Sequence, residues 1–283
     1  MLDQTLQQIT EESGATAVAV SFDDLETGER WAFHGDRLFH AASTMKVGVL
    51  VALLAAVSDE RFRLHDRLHV RNRFYSAADG SVYQVDAGRD ANDVVYDRRG
   101  RTMRLDRLAE HMIQTSSNLA TNLLVDLLGV DAIREAVHAL GGAGVEVLRG
   151  VEDEKAFEAG IVSTATADGL VNLFRAIETG GAGTEATLRP DLRQVALDIL
   201  LGQEFTSGIP AGLPDAARER ARFAHKTGSI STVQHDAGLV YLKDRRPYAL
   251  AILTEWPREK TDGRRATVAR CSRAVYDHLA ADA

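Results

Sequence analysis

What the sequence lacks sets its first limits. Cys271 is the single cysteine, so no disulfide within the chain can staple the fold. A lone cysteine in a helical stretch reads as a small buried hydrophobe. Positive charge is also in short supply. The 33 Lys and Arg are outnumbered by 41 Asp and Glu, a formal net charge of −8, and nucleic acid, which selects clustered basic surface, is not an expected partner. Long apolar runs are missing too. The longest, residues 47–57, holds eleven residues including Gly48, against roughly 18 needed to cross a bilayer. The opening MLDQTLQQ has neither a basic start nor an apolar stretch, so no signal peptide is read in this chain. The location expected from the sequence as it stands is cytoplasmic, or exported if a leader was removed.

What is present is the composition of a folded protein, 45% hydrophobic and 26% charged over 283 residues. At about 150 residues per domain, that length suggests two domains or one large one. The chain order alternates in type. Leu2, Leu6 and Ile9 recur at helical spacing, and residues 16–22 and 30–33 read as strands around a turn-rich link. Helices are predicted over 44–57, 105–113, 119–128, 166–177 and 192–201. Another is marked by Ile133, Val137 and Leu140, opened by Asp131 and closed by Gly141. Three sequential strands follow at 223–226, 237–242 and 248–254. Val268, Cys271, Val275 and Leu279 then mark a terminal helix.

Strands at both ends of a helical middle can pair into one sheet. The predicted fold is α+β: an α/β layer with an antiparallel sheet flanked by helices, formed by residues 1–40 and 214–283. The all-α subdomain of residues 41–213 is inserted into it. Residues 71–101 fit neither pattern. An irregular stretch of that length is usually functional, and its Tyr75, Tyr83 and Tyr96 are candidates to shape a site.

Three short segments carry chemistry. Ser43-Thr44-Met45-Lys46 opens an apolar helix, and residues three apart share a helix face, bringing hydroxyl and amine together. A desolvated lysine can take the proton that makes a serine a poor nucleophile. Thr115-Ser116-Ser117-Asn118 lies between two predicted helices, placing a hydroxyl and an amide in one short link; alone it reads as a helix cap. His225-Lys226-Thr227-Gly228-Ser229 falls late in a predicted strand, where Gly228 permits close approach of a ligand.

In that order, S-x-x-K, S-x-N and K-T-G form the motif set of class A β-lactamases and penicillin-binding proteins. The sequence resembles this family of penicillin-recognising serine hydrolases over nearly its whole length. The resemblance implies a serine β-lactamase-like fold and hydrolysis of a β-lactam or peptide-like small molecule, with no cofactor and no metal. It further implies Ser43 as the acylated nucleophile, Lys46 as its activator and Ser116 as the proton relay to the leaving nitrogen. Asn118 matches the amide that holds the substrate side chain. Lys226 and Thr227 match the groups that bind its carboxylate, and the N–H groups of Ser43 and Ser229 an oxyanion hole. A monomer is expected.

Two departures stand out. Ser117 replaces the aspartate usual in the second motif. The family's deacylation loop has arginine, a glutamate that activates water, and an asparagine four residues after the glutamate. Here Arg149 and Glu152 are spaced by one residue more than usual, and Ala156 stands where the asparagine would be. Glu152 is the candidate base, with Glu154, Glu158 or no carboxylate at all as alternatives. The rivals this opens are a D-Ala-D-Ala peptidase or esterase of the same fold with weak β-lactamase activity, and a penicillin-binding sensor that does not turn over. His65 and His69, at i and i+4, lack a third ligand for zinc, and His225 and His235 read as structural. No G-x-S-x-G of an α/β-hydrolase occurs.

Overall fold

The computed structural model describes residues 2–281; Met1 and the last two residues of the expected sheet-forming segment lie outside them. Its centre is a five-stranded antiparallel sheet built from both ends of the chain. In spatial order the strands are Arg30–Phe33, Ala17–Asp24, Tyr248–Glu255, Val233–Tyr241 and Arg222–Ile230. The two ends meet in a register that runs from Ala17 opposite Glu255 to Asp24 opposite Tyr248.

The central strands are buried on both faces, so they read as apolar runs rather than as alternating ones. One side is rich in alanine, with Leu239 and Leu253 among it, and the other carries larger side chains. Val18, Val20, Phe22, Leu250 and Ile252 face a cluster with Leu2, Leu6 and Ile9 of helix α1 (Leu2–Ser13) and Val268, Cys271 and Val275 of the terminal helix Arg264–Ala281. Ala17, Ala19, Ala237, Ala249 and Ala251 face the main cluster. Small residues on that side let helices approach the sheet closely. Burial raises the Cys271 thiol to about 12, which makes it inert.

The helical middle comprises α2 (Lys46–Ser58), α3 (Leu105–Gln114), α4 (Asn118–Leu128), α5 (Val130–Ala139), α6 (Glu154–Glu158), α7 (Ala167–Thr179) and α8 (Pro190–Leu201). Helix α2 is buried nearly all round, as a helix with no polar face must be. A 3-10 turn, Ala42–Met45, precedes it, so the α-helix predicted over 44–57 starts only at Lys46, and Ser43 and Lys46 do not share one α-helical face. Helix α5 starts one residue before Asp131, from Gly129 in a left-handed conformation. The 71–101 excursion is closed at its neck by Arg67–His69 paired with Thr102–Arg104 and carries a small pair, Phe74–Tyr75 with Val82–Tyr83. His69 therefore lies on a strand rather than one helical turn from His65.

Candidate active site

The three motif segments converge between the Arg222–Ile230 edge of the sheet and the helical middle. Two connected halves of one cleft, of about 570 and 500 Å³, share Ser43, Arg89, Asn118 and Ser229 in their linings. Glu152 lines the first half, with Phe157 and Ile230; Ser116 and Thr227 line the second. Lys46, Lys226 and Gly228 are buried beneath this surface.

Lys46 is the junction. Its Nζ donates to the Ser116 carbonyl oxygen at 2.7 Å, to Ser116 Oγ at 3.1 Å and to Asn118 Oδ1 at 2.9 Å. Full burial lowers its pKa to about 7, against the opposing pull of Asp90 and Glu152. Near neutral pH the amine is thus poised between donor and base. Ser116 reaches this position with a φ of +58°. Ala42 and Glu152 are also left-handed, so three of the six such non-glycine residues among those described flank one cleft. Strain of this kind, of order 1–3 kcal/mol each, gathers at functional sites.

Glycine at 228 answers to packing against the serine segment. A Cβ built there would stand 3.2 Å from the Ser43 nitrogen and 3.1 Å from that of Thr44. The absent side chain brings the edge strand against the start of the Ser43 turn, rather than only clearing a path for a ligand as expected. The K-T-G segment lies mid-strand, not at its end, with Lys226 opposite Ala237 and Gly228 opposite His235. Burial and the nearby charge of Lys46 push the Lys226 amine well below its usual range; its Nζ donates to the Thr227 carbonyl oxygen at 2.9 Å.

His225 and His235 are both buried in the sheet. His225 Nδ1 meets Asp236 Oδ1 at 2.8 Å inside the sheet layer, and the other Asp236 oxygen accepts from the Ile209 N–H. His235 Nδ1 accepts from the Thr254 N–H, leaving Nε2 to donate to the His40 carbonyl oxygen. Burial lowers His235 to about 4, so it is neutral at pH 7.

Glu152 enters the cleft with both oxygens engaged. Oε1 accepts from Asn118 Nδ2 at 2.7 Å, Oε2 accepts from the Asp86 N–H at 2.9 Å, and Arg89 stands 3.6 Å away. Asn118 therefore ties Glu152 to Lys46. Its second amide N–H is the one available to a substrate. Of the alternatives, Glu154 sits on the rim with an exposed side chain paired to Arg89, and Glu158 lies outside the described lining. Ala156 is buried in α6.

The structure adds residues that the sequence alone did not single out. Asn122 holds the backbone of Val151 from both sides, accepting from its N–H and donating to its carbonyl. Asp153, almost fully buried, accepts from Ser76 Oγ, the Ala77 N–H and the Ala156 N–H, pinning the excursion to the acidic loop. Arg149, which the sequence did single out, donates to the Ile161 and Gly150 carbonyls and closes that loop. Asp90 reaches the second motif from the excursion. These anchors lie far apart in sequence and leave no periodic signal. The three tyrosines are absent from the described lining of both cleft halves; Tyr83 bonds Asn122 under the loop and lines an adjoining cavity with Glu152 and Arg89, Tyr96 is buried and Tyr75 is exposed.

The chain is similar to known proteins in sequence and fold. The model of a family described as the beta-lactamase enzyme family matches residues 1–279. A mutant of PBP-A, solved as an acyl-enzyme complex with penicillin G, is similar over 99% of this chain and 96% of that one, at 28% identity and a TM-score of 0.82. The class A beta-lactamase of Mycobacterium abscessus shares the fold at 21% identity and a TM-score of 0.82, over 99% of this chain and 100% of that one. A beta-lactamase of Bacteroides uniformis is 29% identical over 189 residues, 63% of this chain; the match spans 61% of that relative's length. No helix among the described residues is long and apolar enough to cross a membrane.

Proposed function

The chain belongs to the beta-lactamase enzyme family, and on that footing we propose that it opens β-lactam amides through an ester on Ser43. One observation carries the reading: a buried lysine with its pKa lowered to about 7 joins the second motif at the cleft lined by Ser43. A neutral amine has two N–H groups and one lone pair. Deprotonated Lys46 must therefore release one of its three acceptors, and the freed lone pair takes the Ser43 proton. Ser43 Oγ then bonds to the lactam carbonyl carbon. The N–H groups of Ser43 and Ser229 stabilise the developing oxyanion, each worth about 2.7–4 kcal/mol in such sites. As the C–N bond breaks, Ser116 gives its proton to the leaving nitrogen and is resupplied by Lys46. Lys226 and Thr227 receive the substrate carboxylate.

Release of the acyl group requires a water, and Glu152 is its base in this reading. The proton moves to Glu152 as water oxygen bonds the ester carbon, and returns to Ser43 Oγ as the ester breaks. A second reading, slow or absent deacylation as in a peptidase or penicillin-binding protein, is favoured by the two hydrogen bonds that engage the Glu152 oxygens. The missing asparagine at Ala156 and the penicillin G acyl-enzyme of PBP-A point the same way.

A chromogenic cephalosporin followed by colour and by intact protein mass separates the two. Sustained colour in the wild type with accumulation of adduct in Glu152→Gln supports hydrolysis. A single stoichiometric burst with a stable adduct supports the second reading. Ester hydrolysis that disappears in Ser43→Ala, with neither colour nor adduct in the wild type, identifies an esterase. Labelling that persists in Ser43→Ala defeats the nucleophile assignment.

A further inference from the structure

The second motif lacks its carboxylate in sequence, and the fold supplies one from elsewhere. Asp90 lies in the excursion, 26 residues before Ser116 by number. Its Oδ1 accepts from the Asn118 N–H at 2.5 Å; its Oδ2 accepts from Ser117 Oγ at 2.8 Å and stands 3.5 Å from the Leu119 N–H. Ser117 Oγ in turn accepts from the Ala120 N–H as the cap of α4. One carboxylate thus holds the backbone or side chain of both residues that follow Ser116, at the positive end of a helix.

We propose that Asp90 is the positioning residue of the second motif, delivered from the 71–101 excursion of the same chain to do the work of the carboxylate that Ser117 lacks. It clamps residues 117–119 so that Ser116, strained at positive φ, and Asn118 keep their three acceptors on Lys46. The inference rests on the acylation chemistry proposed above for its kinetic readout, but not for its geometry. It also gives the excursion a role: the loop carries part of the site's framework and not only its outer wall. The charged groups that act on Lys46 are Asp90 and Glu152, which favour its ammonium, and Lys226, the neighbouring amine. Removing Asp90's charge therefore lowers the Lys46 pKa further, an effect that loss of a merely structural contact would not produce.

The test relocates the carboxylate. Formation of the covalent adduct with penicillin G is timed by mass for wild type, Asp90→Ala and the double variant Asp90→Ala/Ser117→Asp. Thermal midpoints confirm that each is folded. Losing charge-assisted hydrogen bonds of this kind should slow labelling about tenfold to hundredfold in Asp90→Ala. Aspartate is as good a helix cap as serine, so the double variant should recover most of the rate. Ser117→Asp alone, with two carboxylates crowded at one site, should label more slowly than wild type. Labelling of folded Asp90→Ala within about twofold of wild type, or no recovery in the double variant, overturns the proposal. An NMR pH titration of labelled Lys46 in wild type and Asp90→Asn decides independently of any substrate. A lowered Lys46 pKa supports the role and an unchanged one overturns it. Absence of any adduct in the wild type would defeat the acylation reading, and the titration alone would then decide the role of Asp90.

Discussion

The floor and the roof of the cleft are built from the same twenty residue types under opposite rules. The floor consists of the Ser43 turn, the start of α4 and the edge strand through Lys226 and Gly228. Each is fixed by a regular element packed on the main core, and its reactive amine is fully buried. The roof consists of the 71–101 excursion and the loop around Glu152. It is held by isolated side chains, chiefly Asn122, Arg149 and Asp153, that capture backbone groups the loops leave unpaired, while its Asp90 reaches the floor at the Asn118 N–H. A floor made this way is rigid where acylation needs fixed distances. A roof made this way can change without unfolding the core, so on the proposed chemistry bond formation to Ser43 belongs to the framework, Asp90 included, and release of the acyl group and choice of substrate belong to the rest of the loops.

The sharpest blow to the floor is at Lys46. General-base catalysis contributes about 10²–10⁴-fold, so Lys46→Ala should slow adduct formation by about a thousandfold, read by mass with penicillin G. In the wild type the rate should climb with pH up to about 7 and then level, because only the neutral amine accepts a proton. An acylation rate that is flat with pH, or unchanged in the variant, would place the base elsewhere. Next in size is Gly228→Ala. The new methyl would stand within 3.2 Å of the Ser43 and Thr44 nitrogens, and backbone there cannot swing aside as a side chain can. A displacement of about 1 Å can cost about a hundredfold; at least tenfold slower acylation in a folded variant is expected. A rate equal to wild type would mean that the strand and the serine turn are less tightly coupled than their spacing implies.

The same contrast explains what could be read from the sequence. The floor was legible because each motif sits beside a periodic element: Leu119, Leu123 and Leu124 mark α4 immediately after Asn118, and the apolar run after Lys46 marks α2. The antiparallel sheet from both termini was legible for the same reason, and the strand at Arg30–Phe33 matches its prediction. Boundaries slipped where a local choice was close, as between 3-10 and α geometry at Ala42–Met45. Gly228 was noticed, but its reason lies in a distant segment of the chain, the turn at Ser43 and Thr44, which no local pattern encodes. Of the roof, the excursion, Arg149 and Glu152 were legible, but the side chains that anchor it mostly were not. Asp90 and Asp153 look like members of a solvated acidic loop until the fold brings Asn118, Ser76 and Ala77 to them. Of the tyrosines, conspicuous in sequence, Tyr96 serves as packing, Tyr75 is exposed, and Tyr83 alone borders a cavity beside Glu152.

Asp153→Ala tests the roof's own anchor. Asp153 is almost fully buried and accepts three hydrogen bonds, and truncating it strands the Ala77 N–H. A loss of about 2–3 kcal/mol, to which hydrogen bonds with a charged acceptor amount, should appear in denaturant unfolding. The excursion should also become the first site of limited proteolysis. Adduct formation with Ser43 should slow less than in Gly228→Ala, because the floor keeps its own supports, while the lifetime of the adduct changes. If acylation falls as far as it does in the floor variants, the division between the two regions fails.

The smallest effect is expected at Arg89, although it is the most conspicuous charge over the cleft and borders both halves. Its side chain is 55% exposed, and its approaches to Glu152 and Glu154 are both 3.6 Å. Ion pairs this open give about 0–1 kcal/mol and weaken with salt. Arg89→Ala should therefore leave the unfolding midpoint nearly unchanged and alter acylation by less than about threefold. A carboxylated substrate offers the same guanidinium a partner that solvent does not, so the informative measurement is a pair of probes differing in one carboxylate on the acyl side chain. Equal small losses for both leave Arg89 as surface charge. A loss confined to the carboxylated probe would make it a selectivity residue, a charge of the roof that acts on substrate rather than on the protein, and would move the boundary between framework and choice one residue further into the cleft.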